Sequence, residues 1–176
     1  VNQTVSLRRV REGQSIEVGQ VDLKAGMYQI FVGSFDGELV AEIKDENGIY
    51  IGDFTEEYVT GKGLYINKFK NIYIGEFANR IAEGLGEVYL NDSPNYYFKG
   101  YFKDNKMNGF GFEKLEDGST FEGEFENGSK KRGKFLFSNG CIYDGEFVAN
   151  KFENFGIYYW PDGRKYVGNF LNNQIH

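Results

Sequence analysis

The chain repeats itself at a short, fixed period. An aromatic residue, a glycine two positions on and a phenylalanine two beyond that recur as Tyr50/Gly52/Phe54, Tyr73/Gly75/Phe77, Phe98/Gly100/Phe102, Phe121/Gly123/Phe125, Tyr143/Gly145/Phe147 and Tyr166/Gly168/Phe170. The motif glycines stand 23, 25, 23, 22 and 23 residues apart. Such a period means one supersecondary unit stacked many times, and it governs how every local motif is read.

In a strand, residues at i, i+2 and i+4 share a face, so Phe98 and Phe102 flank a bare patch of backbone at Gly100 that can receive a ring. The polar stretch 103–108 reads as a loop, after which glycines alternate again at Gly109/Gly111, as they do at Gly61/Gly63 and Gly84/Gly86. Isolated glycines weaken a strand and mark close approach. Recurring in phase with aromatics, they predict rings of one hairpin lying flat over glycines of its neighbour. Asp117-Gly118, Asn139-Gly140 and Asp162-Gly163 supply the positive φ of a tight turn. Each period is therefore two short strands and two turns. The expected fold is all-β: tandem hairpins forming an elongated, twisted, curved antiparallel sheet with a groove.

This pattern, aromatic-x-Gly-x-Phe, a loop, Gly-x-Gly and then Asp-Gly, resembles the membrane occupation and recognition nexus (MORN) repeat from Tyr50 to His176. Asn154 departs from it where the first glycine of Gly-x-Gly belongs, one residue is missing around Arg132-Gly133, and Asp92-Ser93-Pro94-Asn95 lengthens a turn. The resemblance implies a scaffold or adaptor in a cytoskeletal, ciliary or axonemal, or membrane-associated assembly of the cytoplasm. It also implies membrane lipids as a ligand class, and fusion to catalytic domains in some members.

Residues 1–49 read as a degenerate N-terminal cap and 50–176 as regular repeats of the same continuous array. Val5/Leu7, Ile16/Val18 and Val21/Leu23 alternate between turns at Glu12-Gly13-Gln14 and Lys24-Ala25-Gly26, and Phe31/Gly33/Phe35 begins a shortened unit that turns at Asn47-Gly48. Terminal repeats are expected to be atypical. No stretch carries the i, i+3, i+4, i+7 pattern of an amphipathic helix, so helix is expected to be nearly absent. There is no apolar run of about 18 residues and no leader, hence no expected spanning helix or signal peptide. The missing initiator Met suggests a fragment, and after Tyr166 the last hairpin lacks its second strand.

The net charge of −6 argues against a nucleic-acid partner, because phosphate neutralisation supplies most of such affinity. One cysteine, Cys141, excludes an internal disulfide framework, and one histidine, His176, leaves no base or ligand set for triad or metal chemistry. No cofactor, no metal and no enzyme activity are expected. Asp53, Glu76, Glu124 and Glu146 share one repeat position, replaced by Tyr101 and Asn169 elsewhere, and read as a solvated stripe with cross-strand cations rather than a catalytic pair.

Three candidate surfaces remain. Rings at Tyr50, Tyr73, Phe98, Phe121, Tyr143 and Tyr166 line the expected groove, where an extended or helical segment of a protein partner would lie, with the tyrosines the better contacts. Their alternative role is packing between hairpins. Lys130, Lys131, Arg132 and Lys134 form a basic loop suited to acidic headgroups or an acidic peptide. Tyr166, Gly168 and Phe170 mark an open edge, suited to end-to-end self-association. The leading functional reading is a non-enzymatic scaffold. An acidic-phospholipid module and a regulatory segment of a larger enzyme such as a lipid kinase are its alternatives.

Overall fold

The structure is a computed structural model that describes residues 3–11, 14–23, 29–35, 38–44, 46–54 and 59–176, with side chains described for 46–50, 52–53 and 59–176. Turns expected at Glu12-Gly13 and Lys24-Ala25-Gly26, and the side chains of Phe31, Phe35 and Phe54, lie outside the described residues. The chain divides into two compact units, Val1–Ala82 and Glu83–His176. Every element among the described residues is a strand.

The first unit opens with β1 (Gln3–Arg11) and β2 (Gln14–Leu23), which pair with each other as a separate two-stranded antiparallel sheet. Next come β3 (Gln29–Phe35), β4 (Glu38–Lys44), β5 (Gly48–Phe54), β6 (Val59–Asn67) and β7 (Ile72–Ala78), in which β4 to β7 each pair antiparallel with the strand before. The second unit is built from β8 (Ile81–Leu90), β9 (Ser93–Lys103), β10 (Lys106–Lys114), β11 (Thr120–Glu126), β12 (Ser129–Leu136), β13 (Ile142–Val148), β14 (Lys151–Tyr159), β15 (Lys165–Leu171) and β16 (Gln174–Ile175), again in sequential antiparallel pairs. The fold is thus all-β, an open succession of hairpins.

The register places the glycines opposite one another. In the second unit Gly86, Gly100, Gly111, Gly123, Gly133, Gly145, Gly156 and Gly168 are successive cross-strand partners, and in the first Gly52, Gly63 and Gly75 are. Over the pairs Gly52/Gly63, Gly100/Gly111, Gly123/Gly133 and Gly145/Gly156 lies a ring. A Cβ on Gly111 would stand 2.7 Å from the Phe98 ring, one on Gly156 2.6 Å from the Tyr143 ring, and one on Gly63 2.5 Å from the Tyr50 ring. The expectation of rings lying over glycines is met, but the glycines belong to the ring's own hairpin and not to its neighbour: Phe98 in β9 covers Gly100 and Gly111 of the β9–β10 pair.

The rings then meet edge to face. Phe98 contacts Phe102 of its own motif at 5.3 Å and Phe125 of the next at 5.1 Å; Phe121 meets Phe125 and Phe147, and Tyr143 meets Phe147 and Phe170, in the same way. Such geometry matches ring edge to ring face and is worth about 0.5–1.5 kcal/mol per pair beyond burial. Phe98, Phe121 and Tyr143 are 0% exposed, so this zigzag of rings is the core.

The stretch 103–108 is not a loop. The chain reverses at Asp104-Asn105, both at positive φ, and β10 resumes at Lys106. Asn79-Arg80, Ala149-Asn150 and Asn172-Asn173 repeat this two-residue turn, whose twist matches that of the flanking strands. The residues counted as loop are absorbed instead by a bulge between Met107 and Gly111, with Gly109 at φ +105. Asn154 takes φ +59 at the equivalent bulge, so asparagine supplies the positive φ that glycine supplies at Gly109. At the opposite edge Gly118, Gly140 and Gly163 take the positive φ expected of them.

A methyl at Gly100 would lie 2.6 Å from Gly111 Cα and 2.7 Å from the Phe110 carbonyl, contacts with backbone that no side-chain rotation relieves. Gly100→Ala is therefore expected to cost about 3 kcal/mol, whereas Glu124→Gln on the solvated face stays within about 0.5 kcal/mol. Urea titrations of the two variants check the assignment of faces; the reverse ranking would overturn it.

Candidate partner-binding groove

The glycine-bearing face of the second unit carries a further layer of side chains from the even-numbered strands. Register defines two columns in it. Met107, Lys130, Phe152 and Ile175 stand opposite Phe102, Phe125, Phe147 and Phe170, while Val88, Glu113, Phe135 and Tyr158 stand opposite Phe98, Phe98, Phe121 and Tyr143. Leu115, Phe137 and Trp160 each open a turn, donating to the carbonyl four residues ahead, and form a third column.

Between these columns runs an apolar groove of about 800 Å3. Phe135, Phe137, Phe152, Tyr158 and Trp160 line it together with the amides of Asn150, Asn173 and Gln174. Its rings touch in sequence, Phe135 to Phe137 at 4.7 Å, Phe137 to Tyr158 at 5.9 Å and Tyr158 to Trp160 at 4.9 Å. All five are half-buried, unlike the fully covered rings beneath. The wall amides also hold the repeats together: Asn150 Oδ1 accepts from Lys130 N and Asn173 Oδ1 from Phe152 N.

Two members of the columns are charged. Glu113, 5% exposed, occupies the position of Phe135 and Tyr158, and Lys130 occupies that of Phe152. Their side chains pair, Nζ to Oε2, with 10% and 7% exposure. Tyr96 donates its hydroxyl to the other Glu113 oxygen at 3.0 Å. The Lys130 ammonium also lies 5.4 Å over the Phe121 ring, as the Phe152 ring stacks at 3.9 Å on Tyr143. Tyr96 comes from the lengthened turn noted in the sequence: the hairpin closes tightly at Leu90/Ser93, and residues 94–96 bulge out of β9.

The expected sites need correction. Tyr50, Tyr73, Phe98, Phe121 and Tyr143 do not face a partner, since they are 0–9% exposed and lie on the glycine row. The tyrosine tips are consumed as well. Tyr50, Tyr73, Tyr143 and Tyr166 each donate to the carbonyl three residues ahead, at 2.8, 2.9, 2.8 and 3.2 Å.

Nor do Lys130, Lys131, Arg132 and Lys134 form a basic loop. They lie in β12, where strand alternation and a bulge at Lys131 send Lys130 to the ring-bearing face and Arg132 and Lys134 to the other. On that other face Arg132 stands between Glu124 and Glu146, and Lys134 between Glu122 and Asp144, while Lys131 pairs with Glu126 at 3.1 Å. At the proposed edge, Phe170 is 4% exposed, packs on Tyr143 and Tyr166, and is opposite Ile175 of β16, so a second strand does begin. The Tyr166 ring covers Gly168. The acidic stripe reads as expected, with Lys62 opposite Glu76 in the first unit.

Burial pushes the Tyr143 phenol up to about 12, and burial followed by the Cys141 thiol does the same to Tyr158. Tyr96 also rises, through burial first and the Glu113 charge second.

Sequence reasoning stopped at the motif residues and missed the groove lining. The available signal was the same period one register row away: Phe135 and Tyr158 are 23 residues apart, as are Phe137 and Trp160.

Comparison with known proteins agrees with the repeat. The family model described as MORN repeat matches residues 98–120 and 143–163. No curated protein matches the chain. Among solved structures, the SAS-4 (dCPAP) TCP domain of Drosophila melanogaster, in complex with a proline rich motif of Ana2 (dSTIL), is 12% identical over 87% of this chain and 99% of its own, with a TM-score of 0.45. Likeness at that level says nothing about ligands.

Two outcomes are expected. Lys130→Met leaves Glu113 buried against no counter-ion and costs about 3 kcal/mol, whereas replacing both residues by Leu is close to neutral; chemical denaturation of the two variants checks this. The raised tyrosines favour the protonated fold, so their contribution is full below the ordinary value of 10.0 and is lost as pH rises toward about 12. Tyr143→Phe gives up a hydrogen bond worth about 1 kcal/mol at neutral pH, and that deficit should shrink through the same alkaline window in melts followed by circular dichroism.

Proposed function

We propose that this chain, a MORN-repeat protein, is a non-enzymatic scaffold module whose groove between Phe137, Phe152, Tyr158 and Trp160 holds an extended or helical segment of a partner protein. MORN repeats make it a module for protein or membrane interaction. The observation that carries the protein reading is the separation of two ring populations on one face. The motif rings are consumed in packing, while a second layer of half-buried rings bounds a groove of about 800 Å3. Aromatic walls with a few amides suit a peptide, because the rings take apolar side chains and the amides take backbone groups. The dispersal of the β12 cations over two faces, each beside acidic residues, favours a protein over an acidic lipid surface. A cytoskeletal or ciliary assembly of the cytoplasm is the setting that the repeat family favours.

Trp160, the single tryptophan, reports on the groove directly. Peptides selected from a displayed random library against the intact chain should shift its emission and lose about tenfold or more in affinity on Phe137→Ser or Tyr158→Ser. They should be indifferent to Phe155→Ser on the opposite face. Peptides sensitive to Phe155 and silent at Trp160 would move the binding surface to that face, and salt-sensitive uptake by anionic phospholipid vesicles would restore the lipid reading.

A further inference from the structure

We infer that the groove selects an apolar peptide segment bearing one carboxylate, which docks on the Lys130 ammonium. This rests on the groove being the binding surface and adds what it discriminates. Among the described residues lining it, Lys130 is the one charged side chain; the others are aromatic, aliphatic or amide. Asp162 already holds the nearby Arg164 at 2.8 Å, where the guanidinium lies over Trp160.

A ring-lined cavity is in general also a fit for a cation, through the negative faces of the rings. Here the Lys130 ammonium already occupies the faces of the Phe121 and Phe125 rings, at 5.4 Å and 5.9 Å, so those faces are taken. Lys130 is fixed as well as charged. Glu113 holds Nζ from one side, itself anchored by Tyr96, and Asn150 holds the backbone N–H at 2.8 Å. An ammonium has three donors, and a single carboxylate oxygen faces this one from within the protein. An incoming carboxylate therefore meets a cation that is already ordered and desolvated, where a charge-assisted hydrogen bond is strongest. Glu113 keeps the site near neutral while it is empty, which is why a buried lysine is tolerated among phenylalanines.

The test uses two pools of short synthetic peptides built from Leu, Phe, Pro and Ala, identical except that a central residue is Glu in one and Gln in the other. Binding to the full chain is read by Trp160 emission. The Glu pool should bind about tenfold more tightly than the Gln pool. In the double variant Glu113→Leu with Lys130→Leu, which avoids the unpaired buried charge that Lys130→Met leaves, both pools should bind equally. Equal binding by the native chain overturns the carboxylate assignment and leaves the groove in place. A preference that survives in the double variant overturns the role of Lys130. Silence at Trp160 with both pools overturns the groove itself, and this inference with it.

Discussion

Flat contact between an aromatic ring and bare backbone is the constraint from which the rest of this structure follows. A ring at Phe98 needs Gly100 beneath it on its own strand and Gly111 on the next, because a Cβ at either would enter the ring. Each glycine costs about 0.5–1 kcal/mol in chain entropy relative to alanine. The cost is offset only when the strands stand in the one register that brings glycine against glycine. A slip by one residue would send every glycine to the opposite face and leave the ring on a side chain. Register, face and repeat length are thus set by one contact, and variation at the turns leaves them intact: Asn154 takes the positive φ of a glycine, and the bulges at Lys131 and at residues 94–96 absorb a missing residue and an added stretch.

The same contact separates stability from recognition. Rings seated on the glycine row are closed off by their edge-to-face partners, with Phe98, Phe121 and Tyr143 fully covered. They are alike from repeat to repeat because each does the same packing job. Side chains on the even-numbered strands lie one layer further out and answer to no such rule. Met107, Lys130, Phe152 and Ile175 share one position, and Val88, Glu113, Phe135 and Tyr158 another, with chemistry that ranges from aliphatic to charged.

That division also explains what the sequence disclosed. Hairpins, their order and the ring-on-glycine packing were legible because they recur in phase, and the turn glycines because Asp-Gly and Asn-Gly have few other uses. The groove was assigned to the wrong layer. Recurrence marks Tyr73 or Phe121 as important, but the importance is to packing, and burial follows from it. The basic cluster failed for a different reason: four cations adjacent in sequence look like one patch, yet strand alternation sends Lys130 to one face and Arg132 and Lys134 to the other. The short loop inferred at 103–108 failed because a bulge at Gly109 and a two-residue turn consume the same number of residues. Neither a bulge nor a face can be read from composition.

Glu113 and Lys130 show how far a repeat can be bent without breaking. Either charge alone at its position would be buried among rings with nothing to answer it, so the two are meaningful only together. They lie on adjacent repeats, one opposite Phe98 and the other opposite Phe125, and meet across the space that a pair of apolar side chains fills elsewhere. Tyr96 completes the set, and it is in reach because the turn before it carries extra residues. Three departures from the repeat thus converge on one point at the margin of the groove. An apolar pair would serve the fold at least as well, so packing alone gives no account of an ion pair here, whereas the discrimination between segments that we propose for the groove would.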